Sequence, residues 1–281
     1  MSNKIIVGVT EDADSRRAVE WAAARALTRR QRLELIGVIG GAIGAVGEGE
    51  ILAAARASIE EMLAGEARRV AADGLTISTR VEIGDPVAVL SEASRDAALL
   101  VIGSDYRGPG HGPARGSRGI RIVASASCPV LVVPISEPGD DRRGVVVGVD
   151  GSPVSEAAIA FAADEADRLG EPLIAVTVWT PLAAPRNSFM VNPAEYRAGM
   201  EHAAREALAL SVAGLRGRHP DLQLEERVAE GYPSAVINEL AAGARLAVVG
   251  SHGRGAVRRF LLGSISHEVL QRLATVTAVV R

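Results

Sequence analysis

The sequence holds one cysteine, Cys128, among 281 residues. It cannot form an internal disulfide or a cysteine-rich metal site. It sits in the apolar run "CPVLVV" and reads as a small core hydrophobe. Aromatic residues make up only 3% of the chain. The formal net charge is −3, and basic residues are mixed with acidic ones instead of forming a long run. The chain therefore lacks the basic footprint of a nucleic-acid binder. No apolar run approaches the ~20 residues that cross a bilayer. The start, "MSNKIIVGV", lacks the charged segment and long apolar stretch of a signal peptide. These absences predict a soluble, cytoplasmic protein with no membrane role. The five histidines are scattered, no two at metal-ligand spacing, so no metal site is expected. There is no Walker lysine motif, no G-x-S-x-G elbow and no Ser-His-Asp set, so no catalytic residue is assigned.

Small aliphatic residues fill the gap, and 48% of the chain is hydrophobic. That is enough for two cores of ordinary size. The chain is also written twice. "IIVGVTEDADSRRAVEWAA" from Ile5 and "VVVGVDGSPVSEAAIAFAA" from Val145 align without a gap at an offset of 140. "VEIGDP" matches "VAEGYP", and "LLVIGSDYRG" matches "LAVVGSHGRG", at an offset of 147. The second copy thus carries seven extra residues, expected between 181 and 200. A period this long implies two fused domains rather than a solenoid. Polar "ISEPGDDRR" reads as the linker, near 136–143, which gives domains 1–137 and 144–281.

Each copy alternates five strands with four helices. In the second, "GVVVGVD" is a buried-type strand. Ser152 follows as N-cap, with Pro153 at the first helical position and Gly170 as terminator. "PLIAVTVW", the long helix "PAEYRAGMEHAAREALALSVAGL", "LQLEERVAE", "SAVINELAAGA", "RLAVVG", "ISHEVLQRLA" and "TVTAVV" complete the order. The alternation predicts an α/β fold: two tandem doubly wound parallel sheets with right-handed crossovers. Ligands of such sheets sit past the strand carboxyl ends, where strand order reverses.

The loop "GSHGRGAVRRFLLGSIS" (250–266) follows the fourth strand of the second copy. Gly250 and Gly253 permit close backbone approach. Gly263 and Ser264 place N–H groups and a hydroxyl at a helix start, which favours phosphate. Arg254 and Arg258 add charge. The plainer reading is a surface turn with Ser264 as an ordinary N-cap. Asp150 stands where strand one ends and suits an amine or ribose hydroxyl; the plainer reading is turn chemistry before Gly-Ser-Pro. His252 borders the same loop, and its plainer reading is a solvated loop position.

Together these pieces resemble the universal stress protein family, whose ATP-binding members carry an Asp after strand one and G-x2-G-x9-G-[ST] after strand four. Residues 250–264 match that pattern, Asp150 matches the Asp, and the resemblance covers nearly the whole chain. It implies strand order 3-2-1-4-5 in each domain, as in adenine nucleotide hydrolases, and pairing through strand five. It also implies bound ATP, with or without Mg2+. Carried over, Gly148 and Asp150 border the nucleoside, and Val178 borders adenine through its backbone. Gly250, Ser251, His252, Gly253, Arg254, Gly255, Gly263, Ser264 and Ile265 hold ribose and phosphates.

The first copy departs from the pattern. Asp150 corresponds to Thr10, Gly253 to Tyr106 and His252 to Asp105. Pro109 and Pro113 remove backbone donors. Gly8, Gly103, Gly116 and Ser117 keep the frame, and Arg107, Arg115 and Arg118 keep positive charge. This site is expected to be degenerate and to lack ATP. "GVIGGAIGAVGEGE" (37–50) is Gly-rich but lies on the second strand–helix connection, and it reads as a loop. Trp21 and Trp179 read as packing residues.

The resemblance implies a stress-response regulator that binds ATP rather than turning it over. Two other classes stay open. One is a slow ATPase or nucleotidyl-transfer enzyme, and the other is a protein-interaction module without nucleotide. Strand five of each copy, "CPVLVV" and "TVTAVV", is a candidate pairing edge, within the chain or in a homodimer.

Overall fold

The computed structural model describes residues 3–40, 48–104, 117–135, 141–181, 193–253 and 262–281. Two compact units emerge, Met1–Glu137 and Pro138–Arg281. The residues Asp105, Tyr106, Arg107, Pro109, Pro113, Arg115, Gly116, Arg254, Gly255 and Arg258, and most of the expected insertion, lie outside the described residues.

The first unit runs β1 (Lys4–Val9), α1 (Ala13–Arg29), β2 (Arg32–Ile39), α2 (Glu48–Arg69), β3 (Ile77–Ile83), α3 (Pro86–Ala93), β4 (Leu99–Ser104), α4 (Ser117–Ser125) and β5 (Val130–Pro134). The second runs β6 (Val145–Gly148), α5 (Pro153–Leu169), β7 (Leu173–Trp179), α6 (Pro193–Val212), α7 (Leu215–Arg218), β8 (Leu224–Glu230), α8 (Pro233–Ala242), β9 (Leu246–Gly250), α9 (Ser264–Gln271) and β10 (Val276–Val280). The strand orders are β3-β2-β1-β4-β5 and β8-β7-β6-β9-β10. Both are the expected 3-2-1-4-5, and the pairings within each unit are parallel.

The inner strands are apolar on both faces because helices cover both sides. Ile5, Ile6, Val7, Leu99, Leu100 and Val101 are fully buried, as are Val145, Val146, Val147, Ala247 and Val248. The helices present small residues at one-turn spacing. Ala18, Ala22 and Ala26 of α1 have 0% exposure, and so do Ala158, Ala162 and Ala166 of α5. A stripe of alanine lets a helix lie close to its sheet, which explains the scarcity of aromatics. Cys128 and Trp179 are buried in these cores.

Two expectations shift. The long helix of the second unit breaks after Val212, and α7 begins beyond Gly214. Glycine is a poor helix former, and Val212 and Leu215 on either side of the break are both buried. Gly37, Val38 and Ile39 of the Gly-rich stretch are strand, and 48–50 are helix, with only part of it left as connection. Tertiary pairing with β3 overrides the glycine composition.

The end of the first helix differs between units. Both α1 and α5 close on a left-handed residue whose N–H returns to the last turn. In α5 that residue is Gly170, with φ +64; in α1 it is Arg30, with φ +52. A Cβ at Gly170 would meet nothing within 4 Å, so only backbone strain opposes a side chain there. Arg30→Gly is therefore expected to stabilise the protein, and Gly170→Ala to destabilise it, each by about 1 kcal/mol. Urea denaturation of the two variants measures both signs.

Candidate functional site

In the second unit, strand order reverses between β6 and β9. β6 is short and stops at Gly148. The chain turns at once, because each polar group finds a local partner. The Val149 N–H donates to the Val176 carbonyl at 2.8 Å. The Asp150 N–H donates to Ser155 Oγ at 3.2 Å, and Asp150 Oδ1 accepts from the Ser152 N–H at 2.9 Å. Ser152 caps α5 by accepting from the Ser155 N–H at 3.1 Å. One carboxylate oxygen thus builds the turn. The other, Oδ2, lies so close to Gly253 that a Cβ there would stand 2.7 Å from it. Only glycine leaves that room.

The opposite wall is stitched from two segments ten residues apart in sequence. The Ser251 N–H donates to the Val280 carbonyl, and the Ser251 carbonyl accepts from the Gly263 N–H at 2.8 Å. Ser266 Oγ donates to the Gly250 carbonyl. Gly263, not Ser264, is the N-cap of α9, and no side chain caps this helix. The Ser264 hydroxyl is therefore not spent on ordinary capping. The N–H groups of its first turn remain available, as at any uncapped helix start.

Between these walls lies a cavity of about 130 Å³. Gly148, Asp150, Val178, Gly250, His252, Gly253 and Ile265 line it together with Val176, Pro233, Ile237, Val249, Ser155 and Ser266. Of the other expected residues, Ser251 is buried behind the wall and holds Gly263, with Ser264 next in the chain. His252 is not a solvated loop residue. Its Nδ1 pairs with Ser251 Oγ at 2.9 Å, and its Nε2 is buried with no hydrogen-bond partner among the described residues. Ser155 and Ser266 were missed from the sequence. The sequence signal for Ser155 was its recurrence as Ser15 in the repeat, and Ser15 accepts the Thr10 N–H at 2.9 Å in the same position.

Helices α8 and α9, which supply part of the lining, are latched to each other. Glu268 of α9 accepts from Ser234 Oγ at 2.7 Å and from the Tyr232 hydroxyl at 3.0 Å, at the start of α8. The Ser234 hydrogen bond, followed by that of Tyr232, lowers the Glu268 pKa below its ordinary value. The same contact raises the Tyr232 pKa.

The first unit keeps the frame and loses the polar set. A Cβ at Gly8 would meet Leu90, as one at Gly148 would meet Ile237. Thr10 replaces the carboxylate and turns its hydroxyl to Asp12 at 3.1 Å. A Cβ at Gly103 would collide with Asp14, including its carboxylate, where the second unit has Val154. Asp14 thus brings negative charge beside the strand-four turn. Gly119 stands where Ser266 closes the wall. Ser117 opens α4, and Arg118 is exposed. Another cavity, of about 630 Å³, runs along β8 beside Arg205, Arg227, Glu226 and Glu239. It includes none of the residues at the strand-one and strand-four turns.

Fold and site define a tandem of doubly wound α/β domains, the second with a cavity at its topological switch point. The universal stress protein family model matches residues 1–134 and 142–281. The chain belongs to the universal stress protein family. It is 34% identical over 293 residues to a universal stress protein of Mycolicibacterium smegmatis, covering 99% of this chain and 96% of that one. It is 35% identical over 294 residues to universal stress protein Rv1996 of Mycobacterium tuberculosis, covering 95% and 91%. A universal stress protein from Archaeoglobus fulgidus shares the fold with a TM-score of 0.73 at 17% identity, covering 99% and 96%. No described helix is long and apolar enough to cross a membrane.

A carboxylate with a lowered folded pKa adds stability above its unfolded pKa, and that stability is lost as pH falls through the folded value. Acidification through the carboxylate range should therefore loosen the α8–α9 latch. Glu268→Gln should remove that part of the acid sensitivity, read as a flatter unfolding midpoint against pH.

Proposed function

We propose that the second unit binds ATP and that the protein acts in the cytoplasm as a nucleotide-dependent regulator of the stress response. The observation that carries this reading is the convergence of three chemistries on one cavity. Val176, Val178, Pro233 and Ile237 give the cavity an apolar lining. It suits a flat base. Asp150 Oδ2 is an acceptor for ribose hydroxyls. Gly253, Ser264 and the uncapped start of α9 offer N–H and O–H donors to phosphate oxygens, and His252 Nε2, buried without a partner among the described residues, is a further polar atom at the cavity. Ile265 lines the same cavity.

Magnesium fits this site as a companion of the phosphates. Among the described residues no group of three His, Cys, Asp or Glu side chains gathers to hold a metal. Mg2+ normally relies on phosphate oxygens, water and one or two carboxylates, and among the described residues Asp150 is the one acidic side chain in the lining.

In this reading ATP stabilises one conformation and is not a substrate for rapid turnover. Asp150 is committed to the turn through one oxygen and sits against Gly253 through the other, which suits it to binding. The first unit, with Thr10 and Asp14 at the corresponding places, does not take ATP.

Titration calorimetry should find about one ATP per chain, all of it in the second unit. Asp150→Ala should weaken binding at least tenfold, roughly the worth of one charge-assisted hydrogen bond. Two ATP per chain would restore the first unit as a site. No ATP, either by titration or released from freshly purified and denatured protein, would leave an interaction module. Sustained phosphate release abolished by Gly263→Ala would make the protein an ATPase.

A further inference from the structure

We propose that Thr177 is a positioning residue that frees the Val178 backbone to read the edge of an adenine base. The inference rests on the nucleotide reading above and concerns how the base is chosen.

Successive residues of a strand turn their backbone N–H and C=O groups to opposite neighbours. In β7 the sides are fixed at both ends. The Val176 carbonyl accepts from Val149, on the β6 side, and the Trp179 carbonyl accepts from the Gly231 N–H, on the β8 side. Val178, two residues after Val176, therefore turns its N–H and C=O toward the β6 side, where β6 has already ended. The next rung of the ladder would pair the Val178 N–H with the Val149 carbonyl. That carbonyl instead accepts the Thr177 hydroxyl at 3.1 Å. A side chain satisfies the last carbonyl of the first strand, so the ladder stops one rung early. The donor and acceptor of Val178 are left side by side at the cavity it lines.

The first unit supplies the contrast. Thr177 corresponds to Gly37, which has no hydroxyl. There β1 runs one residue further, and Val9 pairs with Gly37. That register sets the Val38 N–H, the counterpart of Val178, against the Val9 carbonyl. Gly37 is also closed to substitution, because a Cβ there would collide with Ile59 of α2. The first unit has thus spent its base-reading donor on the sheet, independently of losing the carboxylate at Thr10.

A neighbouring N–H and C=O match adenine, whose edge offers the N1 acceptor beside the N6 amino donor. They mismatch hypoxanthine and guanine, whose edge offers the O6 acceptor beside the N1–H donor. Thr177 therefore sets base preference without touching the base.

The test uses the full chain with Thr177→Val and Thr177→Ser, amide hydrogen exchange by NMR without nucleotide, and calorimetry with ATP and ITP. In the wild type the Val178 amide should exchange fast and the Val38 amide slowly. In Thr177→Val the Val149 carbonyl is released, the Val178 amide should become protected, and the unfolding midpoint should hold. ATP affinity should fall roughly fivefold to tenfold, the worth of one hydrogen bond, and the preference for ATP over ITP should shrink with it. Thr177→Ser should restore both. A protected Val178 amide in the wild type overturns the proposal. So does a Thr177→Val protein that binds ATP and discriminates against ITP as the wild type does. A wild type with a fast Val178 amide that binds no ATP overturns the nucleotide reading instead, so the two failures are distinguishable.

Discussion

The backbone of Ser251 is the tie on which the second unit's site depends. Its N–H is held by Val280 at the end of β10, and its carbonyl holds the Gly263 N–H at the start of α9. With the Ser266 hydroxyl on the Gly250 carbonyl, three chain segments are fixed at one point. Buried backbone groups must find partners, and here the partners lie across the loop instead of within it. The start of α9 is consequently placed by the sheet itself.

The two units carry different polar sets on one frame. Their cores agree at the level of single residues: the alanine stripes of α1 and α5 are the same, and Gly8 meets Leu90 where Gly148 meets Ile237. Packing volume dictates those choices. At the strand ends the chemistry is exchanged in sets. Asp150 with Gly253 becomes Thr10 with Tyr106, Val154 becomes Asp14, and Ser266 becomes Gly119. The Glu268 latch onto Tyr232 and Ser234 becomes an ion pair between Arg121 and Asp85 at 3.7 Å. Even a buried charge is inverted, from Arg25 to Glu165, each with a local partner, Gln31 or Arg168. Sets change together because a lone change would strand a buried charge or collide with a neighbour, as a side chain at 253 would collide with Asp150.

Much of this was legible in the sequence. The repeat exposed the two units, the apolar runs gave the strands, and Ser152, Pro153 and Gly170 marked both ends of α5. These signals are local, so a window of ten to twenty residues carries them. The glycine pattern and Asp150 pointed to the cavity because close backbone approach and a turn carboxylate each demand particular residues. The break at Gly214 was not legible, because the apolar stripe continues across it through Leu208, Val212 and Leu215.

The sequence by itself determined the tandem α/β architecture and the turn segments rich in glycine; the strand order came only with the family resemblance. Periodicity, caps and glycines act within one element or its immediate turn. Tertiary structure alone decided which atoms are spent and which are free. It gave Asp150 Oδ1 to Ser152, and it set the Ser251 hydroxyl on His252. It also ended β6 one rung early through Thr177. Hydrogen-bond capacity is finite, and its allocation depends on neighbours that only the folded chain brings together.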